Sequence, residues 1–403
     1  MNVPVLRFNE FGGDWKHISL GEITQTLTSG SRDWARYYSN TGSKFVRMTN
    51  LSRDGIQLKL DDLKYVNVKT DSAEGKRTSL VHGDILISIT AELGKIGWIP
   101  PDFGVAFINQ HTALLRLDNV KVDTRCVAHI LVSPKVNKII NKMNDSGAKA
   151  GLNLPTIKAI KIYLPEKNEQ TKIANFLTAV DERISQLTQK LELLSKYKKG
   201  VMQKIFSQEL RFKDDNGLDF PEWCERTLGE VGEIVTGKTP STTDPTLWDG
   251  DVQFVTPTDI NDGKYQFKTC RTVARHRKLK VLPENSIMFT CIASIGKMSI
   301  STKPCITNQQ INTLIPTSMY NNEYVYYALL NITEFIKSTQ SSSTLPIIKK
   351  SDFSKFIIPE PTKAEQTKIA NFLKAVDDKI SATQAQLDAV KQYKQGLLKQ
   401  MFV

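Results

Sequence analysis

Two stretches of the chain place apolar residues at steps of mostly three and four. In the first they fall at Ile173, Leu177, Val180, Ile184, Leu187, Leu191, Leu194, Val201 and Ile205. In the second they fall at Ile369, Leu373, Val376, Ile380, Leu387, Val390, Leu397 and Met401. This spacing predicts a narrow stripe on each of two helices, of the width one helix uses to pack along another. Each runs for about 38 residues, far beyond the usual length of about 10–14. Asn168 is the expected cap of the first helix, and Thr362 with Glu365 the expected capping box of the second. Pro165, Pro359 and Pro361 stand just before these starts, where proline is tolerated.

The two helices are copies. Glu-Gln-Thr-Lys-Ile-Ala-Asn-Phe-Leu occurs at Glu169 to Leu177 and again at Glu365 to Leu373. Ala179 to Asp181 returns at Ala375 to Asp377, Tyr197, Lys198 and Gly200 at Tyr393, Lys394 and Gly396, and Phe206 at Phe402. The repeat reaches beyond the helices. Leu6-Arg7-Phe8 matches Leu210-Arg211-Phe212, and Trp15 precedes Leu20-Gly21-Glu22 as Trp223 precedes Leu228-Gly229-Glu230. Phe45-Val46 resembles Phe254-Val255, Gly94-Lys95 resembles Gly296-Lys297, and Asn109-Gln110 resembles Asn308-Gln309. Leu154-Pro155 and Leu345-Pro346 precede the two helix entries. The expected order is globular segment 1–164, long helix 165–206, globular segment 207–358 and long helix 359–403. Because Leu-Arg-Phe follows Phe206 but stands near the beginning relative to Phe402, the chain ends are expected to meet like the two sides of one junction. A pseudo-two-fold, cyclic repeat with antiparallel helices follows.

The globular segments alternate short β-like runs with helical ones, an α+β pattern. The runs are Lys44 to Met48, Asp84 to Ile89, Ala113 to Leu117, Gln253 to Thr256, Ser286 to Thr290 and Ile311 to Ile315. The helices are expected near Arg125 to Lys142 and Glu323 to Lys337. Outside the shared anchors the segments diverge, which suits scaffold helices with one job and domains with different ligands.

A net charge of +12 favours a polyanionic partner, since basic groups that neutralise phosphates release counterions. No run reaches about 18 apolar residues, the N-terminus lacks a signal-peptide core, and a cytoplasmic protein is expected. Cys126, Cys224, Cys270, Cys291 and Cys305 are scattered without a metal or disulfide pattern, and His17, His82, His111, His129 and His276 show no paired spacing. The sequence has no Asn/Asp-Pro-Pro-Tyr pocket, GxxxxGK[ST] loop or GxSxG elbow. Isolated acids such as Asp84 and Glu92 read as surface or cap residues. No catalytic residue, metal or bound cofactor is expected.

Candidate contacts to such a polyanion come in groups. The polar, aromatic and basic loop around Ser31, Arg32, Arg36 and Tyr37 has a counterpart in Lys238, Thr239, Ser241 and Thr242. A basic run holds Arg271, Arg275, Arg277 and Lys278; it is either a solvated loop or, next to the net charge, a phosphate contact. Arg47, Lys95 and Lys297 complete the basic set. The amides of Asn109, Gln110, Asn308 and Gln309 either read adenine edges or hold turns. At the helix starts, Gln170, Thr171, Lys172 and Asn175 recur as Gln366, Thr367, Lys368 and Asn371. A two-helix packing needs only the stripe, so the shared polar faces point to two equivalent docking sites.

Three motifs together identify a family. They are the twice-occurring helix opening, the Trp-x4-Leu-Gly-Glu start of each segment, and Thr236-Gly237-Lys238-Thr239-Pro240-Ser241 running on to Trp248, Phe254 and Asp259. Over essentially its whole length the chain resembles the specificity subunits of Type I restriction–modification systems. That resemblance implies two target-recognition domains, each reading half of a bipartite asymmetric DNA site, with the helix pair as a ruler between them. It implies two copies of an adenine-methylating subunit docked on the helices, joined by motor–nuclease subunits. S-adenosylmethionine, ATP and Mg belong to those partners, and the chain itself is non-catalytic. Two rival readings are a free-standing tandem DNA-binding regulator and a coiled-coil adaptor without a nucleic-acid role. The charge argues against the adaptor, and the repeated polar faces against the regulator.

Overall fold

A computed structural model describes residues 3–32, 34–143, 151–260, 263–277, 279–339 and 346–403. The chain divides into two compact units, Met1–Lys190 with Thr383–Val403, and Leu191–Ala382.

The first unit runs β1 (Lys16–Ser19), α1 (Leu20–Ile23), β2 (Thr24–Ser29), β3 (Tyr38–Ser39), β4 (Ser43–Val46), β5 (Lys64–Val66), α2 (Ala73–Thr78) and β6 (Ile85–Ser88). It continues through β7 (Ile96–Trp98), β8 (Ala106–Ile108), β9 (Thr112–Leu117), α3 (Thr124–Val132), α4 (Pro134–Lys142), α5 (Leu154–Ala159), β10 (Lys161–Leu164) and the start of α6 (Lys167–Phe206). Strands order as β2-β9-β6-β7 in one sheet and β3-β5-β4-β8 in a second, with β1 paired to β10. β6 is buried on both faces, and its side chains alternate between two cores. Ile85 and Ile87 join Val127, Leu131 and the helix pair. Leu86 joins Val46, Leu51 and Ile108.

The second unit holds the rest of α6, then β11 (Cys224–Thr227), α7 (Leu228–Val231), β12 (Gly232–Thr236), β13 (Trp248–Val255), β14 (Tyr265–Gln266), β15 (Arg271–Val273) and β16 (Ile287–Thr290). β17 (Met298–Ser301), β18 (Cys305–Thr307), β19 (Ile311–Pro316), α8 (Asn322–Ser338), α9 (Lys350–Phe353), β20 (Ile357–Glu360) and the start of α10 (Lys363–Gln400), whose end from Thr383 belongs to the first unit, follow. Its sheets are β12-β19-β16-β17-β14, β15-β13-β18 and β11-β20. The order matches the first unit strand for strand around the anchors. Phe45 pairs with Phe107 in parallel β4 and β8, as Phe254 pairs with Ile306 in parallel β13 and β18.

All six expected β-runs are strands. The expected helix from Arg125 to Lys142 is instead two, because proline forces its preceding residue out of the helical region and Ser133 takes φ −55°, ψ 142° before Pro134. Asn168 lies inside α6, which starts at Lys167, so it is not the cap. Thr362 does cap α10, accepting from the Glu365 amide at 3.4 Å. The carboxylate of Glu365 turns elsewhere, to Arg211 and Trp223, so the reciprocal half of that capping box is absent.

The long helices pack antiparallel inside each unit. In the first, Ile173, Ala174 and Leu177 share a core with Leu397, Leu398 and Met401, and Asp181 Oδ1 meets Lys394 Nζ at 2.5 Å. In the second, Val201 and Ile205 share a core with Ile369, Ala370 and Leu373, and Lys198 Nζ meets Asp377 Oδ1 at 2.6 Å. Copied residues thus make copied contacts.

The Leu-Arg-Phe segments are latches on the helix starts. Arg7 donates two hydrogen bonds to Glu169, each 2.8 Å, and Phe8 packs edge-on against Phe176. Arg211 donates to Glu365 at 2.9 Å, and Phe212 packs against Phe372. The Leu6 amide donates to the Gln400 carbonyl at 2.9 Å, as the Leu210 amide donates to Lys204 at 2.9 Å. The chain ends therefore meet inside the first unit in the way the continuous chain turns inside the second. The Leu-Gly-Glu motif is a short capped turn. Ser19 donates to Glu22 through its amide and hydroxyl, Thr227 does so to Glu230, and Leu20 and Leu228 are fully buried.

Candidate nucleic-acid interface

In each unit the loop leaving the first long strand crosses the Asn-Gln turn. After β2, Ser31 bridges Asn109, and a Cβ on Gly30 would lie 2.1 Å from the Asn109 carbonyl carbon. After β12, the Lys238 amide donates to Thr307 at 2.8 Å, and a Cβ on Gly237 would lie 2.1 Å from the Asn308 oxygen. Glycine is required at both crossings because backbone meets backbone there.

In the first unit this crossing forms a cleft of about 580 Å³ lined by Ser31, Arg32, Arg77, Thr90, Gln110 and His111. Arg77 donates to the buried hydroxyl of Ser31. His111 shares Nδ1 with the Thr90 hydroxyl at 2.7 Å and Nε2 with the Gln110 amide at 3.0 Å. Arg32 is exposed. Arg77 and Thr90 join the cleft from α2 and from the end of β6, and no local sequence signal marks them. Nearby in the chain, Arg36 lies over the Tyr37 ring, which packs against Trp34.

The second unit is built differently on the same crossing. Thr239 donates to Gln309 Oε1 at 2.5 Å, with Lys238 and Gln309 exposed. Ser241 pairs with Thr243, and the carbonyl of Ser241 accepts from the Trp248 indole at 2.9 Å. Thr242 is exposed. Arg271 stacks on Trp248, 3.5 Å from the ring centroid, which ties one member of the basic run to this loop. Arg275 pairs with Asp251, Arg277 is exposed, and Lys278 lies outside the described residues. Burial alone pushes the Asp259 carboxyl up. Hydrogen bonds from Thr256 and the Cys270 amide outweigh it and hold the group below its ordinary range. Asp259 is thus a loop staple, as Asn50 is between Arg47 and Lys59 in the first unit.

Several expected contacts are engaged internally. Arg47 is paired with Asp62 at 2.6 Å, and Lys95 with Glu92. Lys297 is exposed on the β16–β17 hairpin. Asn109 and Asn308 are turn residues: Asn109 Oδ1 accepts from His111 and Thr112, and Asn308 is buried and bonded to Gln310.

The helix-start residues need a correction. Gln170 and Gln366 are each only 1% exposed. Gln170 accepts from the Asp123 amide and donates to the Pro165 carbonyl; Gln366 does the same with Asn321 and Pro361. Both amides are consumed in fixing α3 or α8 to the long helix, so neither presents a docking surface. Lys172 pairs with Glu10 and Lys368 with Asp215, and Thr367 donates to Lys363 within its own helix. Thr171 is half-buried, while Asn175 and Asn371 are exposed. Tyr197 and Tyr393, another copied pair, are 53% and 55% exposed on the helices.

Among the described residues no helix is long and apolar enough to cross a membrane, and no cluster of His, Cys, Asp or Glu is arranged to hold a metal.

The family described as Type I restriction modification DNA specificity domain matches twice, over residues 12–195 and 221–392. The Type I restriction enzyme HindI specificity subunit of Haemophilus influenzae is 23% identical over 87% of this chain and 90% of its own length. The Type I restriction enzyme MjaIX specificity subunit of Methanocaldococcus jannaschii is 30% identical over 49% of this chain; the match spans about half of that relative, 48%. The crystal structure of a Type-I restriction-modification system S subunit from M. genitalium shares the fold, with a TM-score of 0.66, 18% identity, and coverage of 100% of this chain and 99% of that one. With both halves matching one family and one repeated frame carrying two target-recognition domains, the chain belongs to the DNA specificity subunits of Type I restriction–modification systems.

Proposed function

We propose that the chain reads a bipartite, asymmetric DNA site, one half-site per recognition domain, and has no chemistry of its own. The observation that carries this reading is the pair of glycine-enabled loop crossings. The frame is the same in both units, but one presents Arg32, Arg77, Gln110 and His111 while the other presents Lys238, Thr239, Gln309 and a stacked Arg271. A shared frame with unlike side chains suits two readers with different targets. Arginine, lysine and amide groups are the types that contact phosphates and base edges. The net charge of +12 supports the same partner.

The helix pair serves as the ruler. At 1.5 Å per residue, the 40 residues of α6 make about 60 Å. That is the upper limit of the reach, about one and three-quarter DNA turns, and it leaves room for half-sites one to one and a half turns apart. Two copies of an adenine-methylating subunit dock on the helices and bring S-adenosylmethionine. Motor–nuclease subunits bring ATP and Mg, and the assembly works in the cytoplasm. The copied groups left exposed on the helices, Asn175 with Asn371 and Tyr197 with Tyr393, are the docking residues that fit best.

The test is an exchange of residues 207–358 for the same segment of a relative, followed by mapping of methylated adenines in cells carrying each version. One half of the methylated site should change and the other should stay. A change in both halves, or in neither, would remove the modular reading.

A further inference from the structure

The two units treat one copied ion pair in opposite ways. In the second unit, Asp377 is fully engaged. One oxygen takes Lys198, and the other accepts from the Tyr327 hydroxyl at 2.6 Å. Lys264 donates to that hydroxyl and pairs with Glu323, which also takes Tyr265 and Lys374. The network is closed.

In the first unit, Asp181 stands where Asp377 does, and Lys394 where Lys198 does. The groups that close the network are replaced. Trp98 donates to the Ile56 carbonyl as Ile300 donates to that of Lys264, so Ile56 replaces the lysine. Helix register puts Thr178 in place of Lys374, and the shared α3 and α8 caps put His129 in place of Tyr327. Asp181 Oδ2 and Thr178 Oγ1 are buried, with no hydrogen-bond partner among the described residues. Asp181 is 5% exposed, and burial pushes its carboxyl up despite Lys394.

Beside these groups lies a cleft of about 770 Å³ whose wall includes Ile56, Leu58, Trp98, Phe103, Thr178 and Asp181. Its size and mainly apolar lining with a few polar groups are those of a ligand site. Arg125 and Lys167 also line it, but Arg125 is paired with Asp123 and Lys167 donates to the Asn119 and Val120 carbonyls. Glu182, exposed at the edge, adds a second negative charge beside Asp181. We propose that this cleft binds an organic cation, an ammonium or guanidinium on an apolar stem. The stem lies on Ile56, Leu58, Trp98 and Phe103. The cation faces Asp181 and Glu182, reached by a turn of the Asp181 carboxylate about its Cβ–Cγ bond. The ligand then supplies what Lys264 and Tyr327 supply in the other unit. Such a group belongs either to a free amine or to a lysine or arginine side chain of a bound protein.

The test is titration calorimetry of the full chain with phenethylamine, with 2-phenylethanol as the uncharged match. The amine should bind saturably, one per chain, and the alcohol at least about tenfold more weakly. Asp181→Asn should weaken the amine by a similar factor. Thr178→Lys, at a half-buried position on the cleft wall where the copied site natively has lysine, should do so by filling the cleft with its own ammonium, which keeps the test independent of any damage from losing the Asp181–Lys394 pair. Saturable binding that is absent, equal for amine and alcohol, or unchanged in Thr178→Lys overturns the proposal. A methyltransferase subunit added to the amine-loaded chain separates the sources: release marks a partner side chain, and joint binding marks a free amine. The calorimetry uses no DNA, so its failure leaves the specificity reading standing.

Discussion

His129 lies in the core of the first unit, fully buried, with neither ring nitrogen hydrogen-bonded among the described residues. Burial, with help from Lys394 and Arg125, holds its pKa well below the ordinary 6.5. The folded ring stays neutral while an unfolded chain would protonate it. The stabilising difference is therefore present above pH 6.5 and is lost as pH falls below that value, at up to about 1.4 kcal/mol per pH unit. His129→Tyr, which restores the residue type of Tyr327, should flatten the slope of urea-measured stability between about pH 6.5 and 5. A slope as steep as the wild type's would show that other groups set it. Gln170 makes a related point at the same scale. Its recurrence looks like a shared surface, yet it is a buried clamp that uses a polar side chain to satisfy a helix-cap amide.

The secondary elements were largely legible because each announces itself through a period. Steps of three and four mark α6 and α10, and compact apolar runs mark β6, β9, β16 and β19. What stayed hidden depends on contacts far apart in the chain. Arg77 reaches its cleft by folding against Ser31, 46 positions away. Glu365 reads as half of a capping box but serves the Arg211 latch, and Glu169, which carries no cap signal, takes Arg7. The break at Ser133 was visible in Pro134, but the apolar spacing of Arg125 to Lys142 masked it. The helix pair carries the next prediction. Removal of one heptad from both helices, Leu187–Leu193 and its antiparallel partner Thr383–Ala389, keeps the apolar seam in phase and shortens each helix by about 10 Å. Adenine mapping should then show a spacer about three base pairs shorter between unchanged half-sites. An unchanged spacer would exclude the ruler.

Across the whole molecule, the duplicated plan makes the chain ends equivalent to an internal turn. Five residues connect Lys204 to Leu210, and eight would connect Gln400 to Leu6 if Val403 were joined to Met1. A chain opened after Ser207 and joined in that way should fold with the same near-ultraviolet circular dichroism and methylate the same adenines with its partner. Loss of folding would show that the Leu6–Gln400 contact is only an accidental likeness of the Leu210–Lys204 turn. Where translation starts along such a ring of elements becomes a matter of gene history. Two short genes, each coding for a reader and one helix, could have been spliced tail to head in either order and produced the same molecule.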